Sequence, residues 1–367
     1  MRPPDPAPRD GEPRRVPAPL WRRQIRAILG AIGLEEADAE ATAEVLLAAD
    51  LMGIDSHGAA LLALYEGLVR DGGTAARRRI AVEHERAAVA RIDGGGGFGH
   101  QPTSLAVEMA AERAERFGLA AVAVRRSGHY GAAGVYARRL AERGLIGIST
   151  SSVWVGAIVP TGGLEPRLGT NPFAFAAPSA SGRPFLLDMA TSTAAIGKIK
   201  IAKRAGEPIP EGWALTREGA PERDPVAALR DTLLVPLGGH KGYGLAAMVE
   251  ILSSALSGAA LTPVREAPGG GAPHDVGHFV LALDPGLVRG SRAAFEADLD
   301  RLADGLRATP PADPARPVLV AGDPERAREA DRLARGVPLP APLAALLRDV
   351  ARRTGAPFLL EREGAPS

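Results

Sequence analysis

From about residue 85 onward, short apolar runs alternate with stretches patterned as helices, and that alternation limits the possible folds most. "AAVARI", a helix near 101–117, "LAAVAVR", a helix near 132–143 and "GLIGIST" follow one another with only short connections. Strand–helix–strand order of this kind predicts an α/β fold whose strands are covered by helices on both faces. "FAFAAP", "RPFLLDMA" and "GHFVLALDP" are further strand candidates, and "PTGGLEPRLGTNP" reads as loop. Before this core, "EEADAEATAEVLLAAD" predicts a helix broken by Gly53. "DSHGAALLALYEGLVRDGG" predicts another, N-capped by Asp55 or Ser56, with Leu62, Tyr65 and Val69 on its buried face. "GYGLAAMVEILSSALSGA" predicts a helix burying Leu245, Met248, Val249 and Leu252, and 325–353 reads as helix interrupted by "GVPLPAP".

The expected organisation is a disordered Pro/Arg-rich lead over 1–18 and a helical segment over 19–80 packing with 324–355. An α/β core over 85–320 and a tail over 356–367 complete it, and "APGGGAPHD" (267–275) is expected to be a mobile surface loop. Bulk properties exclude several classes. The 367 residues carry 44 basic against 43 acidic side chains, a net charge of +1, so neither nucleic acid nor an anionic membrane is the expected partner. Absence of cysteine removes disulfides, thiolate nucleophiles and Cys-based zinc sites. No apolar run approaches the ~20 residues that span a bilayer and no secretory leader is recognisable, so a cytoplasmic protein is expected.

Gly94, Gly96 and Gly99 stand at G-x-G-x-x-G spacing between a strand and a helix. They read either as a dinucleotide turn, with Arg125 and Arg126 placed to meet a 2′-phosphate, or as a tight strand-to-helix turn. "PLGGHKGYG" (236–244) is a second glycine-rich turn into a helix and brings Lys241 to where a phosphate would sit. The chain's only other lysines are Lys198, Lys200 and Lys203. His57, at the start of its helix, is either a neutral N–H donor to a carbonyl or a packed helix-start residue. His129, in "RRSGHYG" just past a strand, has space beside its ring and suits proton transfer, or else lies in a surface loop. No metal-ligand spacing of His, Asp and Glu occurs, and no metal is expected.

Taken in order, "DSHGAALLALY", "DGGGGFG", "SGHYGAAGVYA", "PTGGLEPRLGTNPFAFAAP", "LDMATS", "GKIKIAKRAGEPIPEGWA", "DP" at 224–225, "PLGGHKGYGLAAMVEILS" and "GHFVLALDP" resemble one family. It is the malate/L-lactate dehydrogenase family of the non-Rossmann type, which includes ureidoglycolate and sulfolactate dehydrogenases, 2,3-diketogulonate reductase and cyclic imino-acid reductase. The resemblance spans roughly 20–350. It implies an α/β protein with a mixed-sheet core, a non-Rossmann NAD(P)-binding domain and helical N- and C-terminal segments, assembled as a homodimer. It implies hydride transfer between NAD or NADP and a 2-hydroxy acid, 2-keto acid or cyclic imino acid. By the same likeness the cofactor is contacted at Asp188, Met189, Ala190, Thr191 and Ser192, at Lys241 and Gly242, and at Gly322 and Asp323; the glycine run then becomes a turn. His129 is implied as the acid/base, with His57 and Ser56 contacting substrate. Two positions depart from the family: Leu61 and Met52 stand where arginines are usual. Loss of such a guanidinium costs an anionic substrate on the order of 2–5 kcal/mol. A substrate bulkier or more apolar than malate is therefore expected. A catalytically impaired nucleotide-binding homologue on the same scaffold is the alternative.

Overall fold

The computed structural model describes residues 13–264 and 273–361, and the chain divides into two compact units. One is made of the described parts of Met1–Arg70 and Asp323–Ser367, the other of Asp71–Gly322. In chain order the first unit contributes β1 (Arg14–Val16), α1 (Ala18–Ala31), α2 (Glu36–Met52) and α3 (Leu62–Arg70). The second begins with β2 (Ala81–Arg86), β3 (Val89–Asp93), α4 (His100–Phe117), β4 (Leu119–Ser127), α5 (Ala133–Glu142) and β5 (Ile146–Ser151). It continues with β6 (Phe173–Ala177), β7 (Phe185–Met189), α6 (Ile196–Ala205), the short ribbon of β8 (Ala214–Leu215) and β9 (Pro221–Glu222), and α7 (Pro225–Asp231). α8 (His240–Glu250), β10 (Val276–Leu283), α9 (Pro285–Arg289) and α10 (Arg292–Arg307) close it. The first unit resumes with α11 (Asp323–Arg335), β11 (Val337–Leu339) and α12 (Ala341–Thr354).

Seven strands form the central sheet in the order β2-β3-β4-β10-β5-β6-β7. Only β3 and β4 run parallel, joined by α4, and every other neighbouring pair is antiparallel. The expected α/β class with a mixed-sheet core is therefore the observed one. Because β3 and β4 are parallel neighbours, their carboxyl ends emerge side by side, and the glycine run and the His129 turn meet there. A smaller core (Ile158, Leu168, Ile199, Ile209, Leu234 and Ala246) forms under α6 and α8.

In the first unit, α1 packs on α2 and α12 on α3, burying Trp21, Ile25, Ile28, Leu46, Leu62, Tyr65 and Val350. Residues 14–16 form a strand although they fall within the expected disordered lead of 1–18. Arg14–Val16 pairs antiparallel with Val337–Leu339, and Arg14 Nη1 donates to the Leu360 carbonyl at 2.5 Å. Residues 1–12 lie outside the described residues, as do 265–272, which include 267–272 of the expected mobile loop, and 362–367 of the expected tail. The first part of that tail is tied down: the Leu359 N–H donates to Gln24 Oε1 and Leu360 is buried.

Two helices differ from expectation. α3 begins at Leu62, not at Asp55, because residues 55–57 and 59–61 form two 3-10 turns instead, and no side chain caps either. α8 buries Gly242, Ala246 and Val249 and leaves Met248 exposed, because Gly242 lies against the Leu237 backbone and sets the buried face.

Candidate active site

The glycine run is committed to the protein. The amides of Gly94 and Gly96 donate to the Arg125 and Arg126 carbonyls at 2.8 and 2.7 Å, and Gly99 donates to the His129 carbonyl at 2.9 Å. Gly95 donates to Asp93 Oδ1, Gly97 to the Gly94 carbonyl, and Arg78 fills the turn by donating to the carbonyls of Gly94 and Phe98. With these five amides engaged, the turn has no cluster of N–H groups to offer a pyrophosphate. The run is a strand-to-helix turn. Arg125 is held by Glu83, whose carboxyl is kept below the usual range first by its hydrogen bonds from Arg125, and Arg126 pairs with Asp93.

His129 sits in the segment between β4 and α5, half-buried. The Gly131 N–H donates to its Nδ1 at 3.2 Å. A backbone amide can only donate, so in the neutral ring the proton resides on Nε2. Trp154 stands edge-on to His129 at 6.0 Å between centroids, and His274 stacks on Trp154 at 5.0 Å. Neither residue carries a motif visible in the sequence. Behind the turn, Tyr136, Tyr130 and His278 stack in series, entirely buried. Burial holds His278 neutral by pushing its pKa down to about 3. His100 is lowered well below the usual range for the same reason.

His57 ends the first 3-10 turn in the other unit, with its Nδ1 2.9 Å from Ser56 Oγ. What shapes this turn is Asp50, at the end of α2. Its buried Oδ2 accepts from Trp21 Nε1 at 2.6 Å and from the Ala59 N–H at 2.9 Å. A Cβ at Gly58 would overlap that carboxylate, which is why the residue after His57 is glycine. Arg332 of α11 donates to the Asp50 carbonyl and to the Asp55 carboxylate, and Arg328 runs across Gly53. Burial pushes the Asp50 pKa up to about 7, against the opposing hydrogen bonds from Ala59 and Trp21. His57 and His129 belong to different units.

The residues expected to hold a cofactor divide into two groups. Asp188, on β7, accepts from the Gly134 N–H at 2.8 Å and so caps α5 from another element. Thr191 is buried, bonding the Thr170 carbonyl through both N–H and Oγ1, while Ser192 Oγ donates to the Ala194 carbonyl. Gly242 is consumed by packing on Leu237. These positions hold the scaffold. Met189 and Ala190 stay partly accessible, and the Leu186 N–H donates to the Ala321 carbonyl, which sets Gly322 against β7. Asp323 opens α11 and accepts from Arg326. Gly238 and Gly239 take positive φ with open space where side chains would be, ahead of α8 and the exposed Lys241. That uncrowded turn, a helix start and an ammonium together fit a cofactor's phosphates. Among the described residues, no group of three or more His, Asp or Glu side chains could hold a metal, and no helix is long and apolar enough to cross a membrane.

Comparison with known proteins gives the class. The profile of the malate/L-lactate dehydrogenase family matches residues 16–348, and the chain belongs to that family. Its members are oxidoreductases acting on hydroxy acids or imino acids. A (2R)-3-sulfolactate dehydrogenase (NADP(+)) of Chromohalobacter salexigens is 38% identical over 77% of this chain and 85% of its own length. A Delta(1)-pyrroline-2-carboxylate reductase of Ancylobacter novellus is 36% identical over 78% of this chain and 84% of its own. The crystal structure of malate dehydrogenase from Entamoeba histolytica superposes with a TM-score of 0.86 at 28% identity, over 95% of this chain and 99% of that one.

Proposed function

We propose that this chain is an NAD(P)H-dependent oxidoreductase that moves hydride between nicotinamide and a 2-keto or 2-hydroxy acid, or a cyclic imino acid, carrying a single carboxylate. The cofactor supplies hydride; the chain's residues bind it, orient the substrate and handle one proton. Met189, Ala190, Gly322 and Asp323 would line the cofactor, and Lys241 with the Gly238–Gly239 turn would take its phosphates. Arg125 and Arg126 are occupied by acidic partners. The four lysines, exposed and without ion pairs among the described residues, are then the groups able to read a 2′-phosphate.

The observation that carries the division of labour is the hydrogen bond on His129 Nδ1. It favours a neutral ring presenting Nε2–H, which orients and polarises the substrate oxygen or nitrogen. An imidazolium there would set Nδ1–H against the Gly131 N–H. His57 Nδ1 faces a hydroxyl, which accepts or donates, so its ring serves in both protonation states. We therefore assign the proton donor to His57 with Ser56 beside it, and the orienting role to His129. The opposite division, with His129 as acid/base, is the second reading. pH profiles separate the two. His57→Ala is expected to abolish the pH-dependent limb of kcat/KM while His129→Ala lowers the rate and keeps the limb; the reverse pattern establishes the second reading.

Met52 is buried at 1% exposure and Leu61 is half-buried, so neither grips a carboxylate, and Arg332 is spent on Asp55 and the Asp50 carbonyl. Arg328, exposed and without an ion-pair partner among the described residues, runs beside the same turn and is the cation proposed for the single carboxylate. A steady-state panel with NADH and NADPH is expected to rank a monocarboxylic keto or cyclic imino acid above oxaloacetate; oxaloacetate as the best substrate would overturn it. Arg328→Met is expected to raise the substrate KM by about 10-fold or more. Cofactor binding without turnover of any such substrate would establish the impaired homologue instead. The same proposal has the protein as a cytoplasmic homodimer, its oligomeric state read by sedimentation of the pure protein.

A further inference from the structure

We propose that His278 is a positioning residue for His129, clamping the chain on both sides of it: through Ser127, two residues before, and through Tyr130, one residue after. The proposal rests on the reading that His129 acts on the substrate, and it adds to that reading a residue nearly 150 positions away in the sequence. His278 lies in β10, which pairs with β4, so its ring crosses under the end of the strand that delivers His129. Nε2 is 3.0 Å from Ser127 Oγ and Nδ1 is 2.9 Å from Ser151 Oγ on the opposite neighbour, β5. The ring plane lies 8° from that of Tyr130 at 4.5 Å between centroids. Tyr130 is pinned in turn, because Tyr136 stacks on its far face at 4.9 Å and donates its hydroxyl to the Tyr130 carbonyl at 2.5 Å.

The packing leaves the clamp no slack. A Cβ on Gly99 would come 2.5 Å from His278 Nε2, 2.6 Å from Tyr130 Cβ and 2.8 Å from the Gly128 carbonyl oxygen, while the Gly99 N–H holds the His129 carbonyl. Backbone on either side of His129 is therefore fixed by one buried ring, and the imidazole it presents inherits that rigidity. A histidine serving only to fill the core would need none of the Ser127 geometry.

The two ring nitrogens can be replaced one at a time. Glutamine at 278 places its amide where Nε2 reaches Ser127, whereas asparagine reaches only Ser151. In the full-length protein with NADH or NADPH and its best substrate, His278→Asn and Ser127→Ala are each expected to lower kcat by about 10²-fold with KM little changed. His278→Gln is expected to stay within about fivefold of the wild type, and the Asn/Ala double variant to be no worse than either single one. Equal losses in Gln and Asn, or wild-type kcat in Ser127→Ala, would overturn the clamp. Nitrogen-15 spectra of the seven histidine rings give a readout independent of turnover. The His129 ring signals are expected to move in His278→Asn and Ser127→Ala and to hold in His278→Gln; unmoved signals in all three overturn the proposal. Should His129→Ala retain full turnover, the role of His129 falls while these spectra still decide the clamp. Should His278→Asn fail to fold, Ser127→Ala decides it alone.

Discussion

The two histidine turns are built on opposite principles. His129 is seated on neutral groups: a stack of two tyrosines and a histidine, serine hydroxyls, and the backbone amides of a glycine-rich turn. His57 is seated on charge: the buried Asp50 carboxylate beneath it, and Arg332 bridging Asp50 and Asp55 beside it. Neutral seats are indifferent to pH and salt over the working range. Charged ones are not, since a buried carboxylate carries a desolvation cost that depends on whether it is ionised. The molecule thus holds one imidazole rigidly and leaves the other on a support that titrates.

The sharpest break in that comparison is Gly58→Ala. Its methyl group would enter the space of a carboxylate that is itself fixed by Trp21 and Ala59, with no flexible side chain to give way. We expect a loss of more than about 4 kcal/mol of stability, read as a collapse of the urea midpoint. Next comes Asp50→Asn. The folded-state pKa, at about 7, lies above the ordinary value of 3.8, so the folded protein holds a proton that the unfolded chain releases. Stability therefore falls as pH rises from 4 to 7 and levels off above it, by on the order of 4 kcal/mol from this group. Asn keeps an acceptor for Ala59 and Trp21 without the charge. The wild-type-minus-variant difference in ΔG should fall across that window, by on the order of 4 kcal/mol; a difference flat with pH would show that Asp50 does not titrate there. Smallest is Arg332→Leu, which removes one donor from the Asp50 carbonyl and an ion pair to the exposed Asp55. About 1–2 kcal/mol is expected, part of it screened in high salt; a salt-independent loss would remove charge from the account.

Sequence reasoning found the βαβ crossover because β3, α4, β4, α5 and β5 keep clean apolar periodicity. It missed β2, whose "AVEHER" is an edge strand exposed on both faces and so carries no alternation to read. It placed a helix N-cap at Asp55 or Ser56 because that signature is local, whereas the residue that bends the chain there, Asp50, acts from beneath. The glycine run illustrates the same limit. Its spacing is compatible with phosphate binding, and only the partners of its amides, some thirty residues further on, show that they are taken. Asp188 was legible as a motif residue but not as the cap of α5, since capping from another element leaves no trace in spacing. His278 was legible only as part of the strand "GHFVLALDP": a histidine in an apolar strand declares its purpose through its neighbours.

The ribbon of Arg14–Val16 with Val337–Leu339 has a consequence for biosynthesis. Strands separated by over 300 positions cannot pair until both have been translated, so the unit bearing His57 stays open while residues 71–322 are made and fold. The two units therefore complete at different times, and the one that bears His57 closes last, once Val337–Leu339 has been made and can pair with Arg14–Val16.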